Sequence, residues 1–132
     1  MKAQRNGLIV MTSSTAGIMG RPQRSPYAAA KWAVMGMTKT LAMELGPLGV
    51  HVNAVCPEAV EGSRMDQVIA SEAEARGENE EAVRQSYVTG VSMKTWVQPA
   101  DIAHSVHFLV SDAGGKISGQ ILAVVGHTET LA

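Results

Sequence analysis

The chain has 132 residues with 11 basic and 12 acidic side chains, a formal net charge of −1. That suits a single domain and supplies neither a basic field for nucleic acid nor a polybasic membrane patch. Hydrophobic residues make up 45% and no apolar run reaches the roughly 18 residues of a spanning helix, so neither general disorder nor a membrane helix is expected. One cysteine, Cys56, rules out an internal disulfide, and no signal-peptide apolar stretch follows Met1, so a reducing, cytoplasmic setting is expected.

Taken in chain order, strand, helix, strand, helices and strand alternate, which is the α/β pattern. Gly7 to Thr12 (GLIVMT) is a continuous apolar run that reads as a strand buried on both faces. Residues 15 to 26 are a Gly- and Pro-containing loop. Pro26 can open a helix that runs to about Leu45 and stops at Gly46-Pro47. Its apolar residues (Ala30, Trp32, Ala33, Val34, Met37, Leu41 and Leu45) cover more than one stripe, so it packs on the sheet and on something else. That second contact is either more core or a partner subunit.

His51 to Val55 reads as a second strand, closed by Cys56-Pro57. Residues 61 to 97 change character, with Glu72, Glu74, Glu78, Glu80 and Glu81 in two polar helical pieces broken at Gly77. They read as a solvated, mobile insert with the glutamates on a water-facing side. Pro99 opens a further helix to about Val110, and Gln120 to Val125 reads as the third strand, followed by a polar-then-apolar tail from His127.

Within this frame Tyr27 and Lys31 stand four apart in the first turns of the long helix, on one face. An ammonium about 4 to 6 Å from a phenol favours its ionised form and suits it to general acid/base work. Such a pair alone is as readily an incidental feature of a helix start. Ser14 follows the first strand, thirteen residues before Tyr27, where α/β sheets place their ligands. His104 and His107 read as ordinary helix-face residues with no third ligand, so no metal is expected, and Cys56 reads as a buried structural thiol.

Gly7-Leu-Ile-Val-Met-Thr-Ser-Ser14, Tyr27-Ala-Ala-Ala-Lys31, Val52-Asn-Ala-Val-Cys-Pro57, Phe108-Leu-Val-Ser-Asp112 and Ile117-Ser-Gly-Gln120 occur in this order. Together they resemble the carboxyl-terminal half of the short-chain dehydrogenase/reductases. The resemblance covers nearly the whole chain and implies an α/β, Rossmann-like three-layer sandwich. Residues 1–132 would form one partial domain of a doubly wound parallel sheet, and 61–97 a substrate-lid-like insert. It implies hydride transfer between NAD or NADP and an alcohol or carbonyl. Ser14 would hold the substrate oxygen, Tyr27 would pass the proton, and Lys31 would tune the tyrosine and bond the nicotinamide ribose. Tyr27, Lys31, Pro57 and Val60 would line the cofactor. It also implies a homo-oligomer, dimer or tetramer, built on the long helix or the last strand.

Four departures stand out. Glu58 occupies a position that is usually Gly in that family, where a carboxylate is expected to crowd the nicotinamide end. A threonine common a few residues later is replaced within Glu61-Gly62, and the closing Val-Asp-Gly-Gly reads Val124-Val125-Gly126-His127. No glycine-rich phosphate loop is present, so the chain reads as half an enzyme, with Met1 in the place of an internal methionine. Two other readings compete. One is a non-catalytic fragment that acts by association. The other, ranked last, is a hydrolase using Ser14 with Lys31 as base.

Overall fold

The computed structural model describes residues 1–22 and 24–127; the tail at 128–132 lies outside the described residues. Three parallel strands form one sheet in the order β1 (Gly7–Thr12), β2 (Val50–Pro57), β3 (Ile121–Val124). The helices are α1 (Ser25–Leu45), α2 (Ser63–Arg76), α3 (Glu80–Thr89) and α4 (Pro99–Val110). This is a Rossmann-like α/β arrangement, with crossovers carried by α1 and by the α2–α4 segment.

Local chemistry sets the element ends. Pro26 stands in the first turn of α1, where no intrahelical N–H is needed. Gly77, at φ +65°, ends α2 in the left-handed region. The Asn79 side chain accepts from the Glu81 N–H at 2.7 Å to open α3, and the Asp101 carboxylate accepts from the Gln98 N–H at 2.8 Å to open α4.

The centre of the fold is β2 rather than β1. Val52, Asn53, Ala54, Val55 and Cys56 are all essentially inaccessible. In β1, by contrast, Gly7 to Met11 are half-buried and Thr12 is exposed. The expectation of a first strand buried on both faces is therefore corrected. Among the described residues β1 pairs only with β2, so it is an edge, and an edge strand leaves part of each face open. The second strand also runs longer than His51–Val55, because Pro57 still aligns with Val124 of β3 and needs no N–H to do so.

Asn53 joins β2 to the turn before β3. Its Nδ2 donates to the Ile117 carbonyl at 2.9 Å and its Oδ1 accepts from the Gln120 N–H at 3.0 Å. A fully buried amide is stable only with both ends served, and here both are.

The 61–97 segment departs from the solvated reading. Ile69, Ala73 and Val83 are buried together, with Met65, Tyr87 and Trp96 packed around them. The segment has a small core of its own, closed at its root by a parallel bridge between Val60 and Val97. Glu72 is the exception to the water-facing glutamate row: it is half-buried and accepts a hydrogen bond from the Tyr87 hydroxyl at 2.9 Å.

Candidate active site

The site forms where β1 and β2 end and α1 begins. The Ser13 N–H donates to the Val55 carbonyl at 2.8 Å, which extends the β1–β2 pairing one residue beyond Thr12. The Ser13 hydroxyl then donates to the Lys31 backbone carbonyl at 2.9 Å, tying the strand end to α1. Gly17 lets the two approach. A Cβ there would lie 2.8 Å from the Lys31 carbonyl oxygen, the Met35 methyl and the Ser13 hydroxyl, closer than side chains pack.

Ser14 is extended, and its hydroxyl oxygen accepts from the Ala16 N–H at 3.3 Å, opening the short turn Thr15–Gly17. A hydroxyl has one proton to donate. That of Ser13 is committed to Lys31, whereas that of Ser14 is not engaged among the described residues. On α1, the Lys31 ammonium donates to the Thr12 carbonyl at 3.2 Å and stands 5.6 Å from the centroid of the Tyr27 ring. Tyr27 itself is 40% exposed.

Ser14, Tyr27 and Lys31 border one cavity of about 440 Å³, and Pro57 and Val60 border it from the end of β2. All five residues singled out from the sequence thus come together. Glu58 also faces this cavity, and its carboxylate lies 4.0 Å from the Arg21 guanidinium.

Several lining residues were not singled out from the sequence: Arg21 and Arg24 from the loop before α1, Arg64 from α2 and Tyr87 from α3. The signal that could have found Tyr87 is its helical spacing from Val83, on the inward side of α3. The arginines carry no such signal, since loop and helix-end arginines are common on plain surfaces. Arg24 lies 3.7 Å from Glu72, which also pairs with Arg76 at 3.5 Å. Burial pushes the Tyr87 hydroxyl above the ordinary phenol value, and its bond to Glu72 pushes the same way.

Beneath the cavity Cys56 is fully buried, with its Sγ 3.9 Å from the Met35 Sδ. Burial raises its thiol above the ordinary value, against smaller opposing contributions from Ser13, the Ser14 backbone and Lys31. His104 and His107 lie exposed on α4. Among the described residues no three His, Cys, Asp or Glu side chains cluster as metal ligands, and no helix is long and apolar enough to cross a membrane.

Residues 1–126 match the family described as enoyl-(acyl carrier protein) reductase. The chain is 34% identical over 126 residues to the 3-oxoacyl-(acyl-carrier-protein) reductase FabG of Thermotoga maritima, covering 96% of this chain and 47% of that protein. The fold superposes with TM-score 0.86 on a short chain dehydrogenase family protein from Francisella tularensis, at 28% identity over 90% of this chain and 49% of that one. It superposes with TM-score 0.87 on an NAD⁺-bound xylitol dehydrogenase, at 28% identity over 96% of this chain and 51% of that one. The chain therefore spans about half the length of the relatives it matches.

Proposed function

The chain belongs to the short-chain dehydrogenase/reductase family, and on that premise we propose that it carries the catalytic half of an NAD- or NADP-dependent alcohol/carbonyl oxidoreductase. The observation that carries this reading is the convergence of Ser14, Tyr27 and Lys31 on a single cavity at the ends of parallel strands.

The roles follow from which protons are engaged. The Ser14 hydroxyl keeps its proton for a substrate oxygen, while Ser13 is occupied in holding α1. The Tyr27 hydroxyl passes the proton: to the carbonyl oxygen on reduction, from the alcohol on oxidation. The Lys31 ammonium uses one of its three N–H bonds on Thr12, leaving two for a ribose hydroxyl beside Tyr27. That arrangement fits a nicotinamide nucleoside, with Pro57 and Val60 against the ring. A nicotinamide bound there would donate or accept the hydride. The cofactor of the xylitol dehydrogenase neighbour is NAD⁺.

The chain works as a homo-oligomer in this reading. Trp32, Met37 and Met43 leave 52%, 49% and 81% of their surface exposed on α1, which supports a second copy packing there or along β3.

The decisive experiment is Tyr27→Phe in a full-length chain that places a glycine-rich nucleotide-binding half ahead of these residues. Removal of the hydroxyl with retention of the ring should cost about 10² to 10⁴-fold in turnover. Turnover within a few-fold of the parent defeats the assignment.

A further inference from the structure

The cavity is unevenly charged. Arg21, Arg24, Lys31 and Arg64 line it, and the sole carboxylate among its lining residues is that of Glu58. Lys31 is accounted for by Thr12 and Tyr27. The three arginines have no comparable task in hydride transfer.

Their surroundings leave them available. Arg21 and Arg24 meet Glu58 and Glu72 at 4.0 and 3.7 Å, which is ion-pair contact beyond hydrogen-bond distance. Glu72 is shared further, with Arg76 and the Tyr87 hydroxyl. Arg64 makes no ion pair among the described residues, and it stands in the first turn of α2, at the cavity edge. A guanidinium offers five N–H donors in a planar fork that matches a carboxylate or phosphate in bidentate fashion. Position favours Arg24 as the anchor. Its backbone carbonyl caps the first turn of α1 by accepting from Ala28 at 2.8 Å, so its side chain starts one turn from Tyr27.

We propose that the substrate is an anionic alcohol or ketone whose carboxylate or phosphate is held by Arg21 and Arg24, with Arg64 closing the site from the insert. This deepens the oxidoreductase reading and rests on it, since the same cavity must present the carbinol carbon to Tyr27. The charge also sets a direction: an oxyanion docked on the arginine side leaves the other end of a short substrate facing Ser14 and Tyr27. Glu58 and Glu72 hold the guanidinia in place and are displaced as partners when the ligand enters.

The test is binding to this 132-residue chain, read by NMR titration without turnover. The probes are lactate, 3-hydroxybutyrate and 6-hydroxyhexanoate, each beside its uncharged methyl ester. At least one acid should bind about tenfold or more tightly than its ester, the scale of one charge-assisted contact. Arg24→Gln and Arg21→Gln should each remove most of that preference, and Arg24→Lys, which keeps the charge and loses the fork, should retain part of it. Acid and ester binding alike, or no acid producing a saturable shift, overturns the proposal. Acid binding that is unchanged in both Arg24→Gln and Arg21→Gln overturns it as well, because the anion is then held elsewhere. If a variant does not fold, the acid/ester contrast in the unaltered chain still decides. The contrast is independent of turnover, so its failure leaves the hydride reading standing, and retained turnover in Tyr27→Phe leaves the contrast as measured.

Discussion

The ammonium of Lys31 is held by the carbonyl of Thr12 at 3.2 Å, so the last residue of β1 positions the cation that α1 carries beside Tyr27. Strand and helix each supply half of the geometry. The contact is exposed and is one hydrogen bond, worth about 1 kcal/mol or less to stability. Lys31→Met is therefore expected to leave the melting temperature nearly unchanged. In a chain that carries a nucleotide-binding half ahead of these residues, the roles proposed above predict a fall in turnover of more than about tenfold, since the cation beside the Tyr27 phenol is gone. A parallel loss of folding and turnover would instead place Lys31 among the structural contacts.

Asn53 gives a sharper stability test, because it is buried and serves two partners with one amide. Asn53→Leu strands the Ile117 carbonyl and the Gln120 N–H together. A stranded group costs about 1 to 3 kcal/mol when buried, so with two part-buried groups a loss of about 1 kcal/mol at least and up to roughly 6 kcal/mol is expected in urea unfolding. Asn53→Asp keeps the acceptor for Gln120 and loses the donor for Ile117. Its deficit should narrow as the pH falls, because a protonated carboxyl can donate again. A loss under about 0.5 kcal/mol for Asn53→Leu would show that the turn before β3 re-forms without the amide.

Much of this was legible from residue patterns, and the exceptions share a cause. Pro26, Gly77 and Pro99 mark helix ends because each restricts or frees the backbone locally, whatever the rest of the chain does. The helix face that pairs Tyr27 with Lys31 is equally local. What was not legible depends on neighbours. An apolar run such as GLIVMT says that a strand forms and suggests burial on both faces, but how far each face is covered depends on the neighbours, and β1, paired only with β2 among the described residues, is half-buried. Glu72 was read with the other glutamates, yet it alone meets Tyr87 and Arg24 across the α2–α3 hairpin and the loop before α1. Arg21, Arg24 and Arg64 come from two distant segments, and only the tertiary fold gathers them on one cavity.

Tyr87 makes the alkaline limb of stability informative. Burial first, and the bond to Glu72 second, raise its hydroxyl above the ordinary value of about 10. The folded state then holds this proton more tightly than the unfolded state. The contribution is full below the unfolded value and is lost as the pH rises through the folded one. Stability should thus decline above about pH 10, and Tyr87→Phe should flatten that decline while lowering stability at neutral pH through the lost Glu72 bond. An unchanged alkaline slope in the Phe variant would show that the proton is not held by this contact.

The last test concerns association. Trp32 and Met43 are eleven residues apart, close to three helical turns, and so share one side of α1, while Met37 projects from another; all three are exposed. A helix with apolar side chains open on two sides is unusual for a soluble monomer, whose exposed apolar patches rarely exceed about 600 Å². Met37→Glu places a charge at an open position with little cost to the fold, since only the half already covered is disturbed. Val34 is more covered, so a charge there should weaken folding as well as contact, and the pair of variants separates the two effects. Light scattering should give at least twice the 13.9 kDa chain mass for the parent and a lower value for Met37→Glu. If β3 forms the contact instead, the mass stays that of an oligomer in the Met37 variant. A folded, monodisperse parent of 13.9 kDa at micromolar concentration would refute association through either surface.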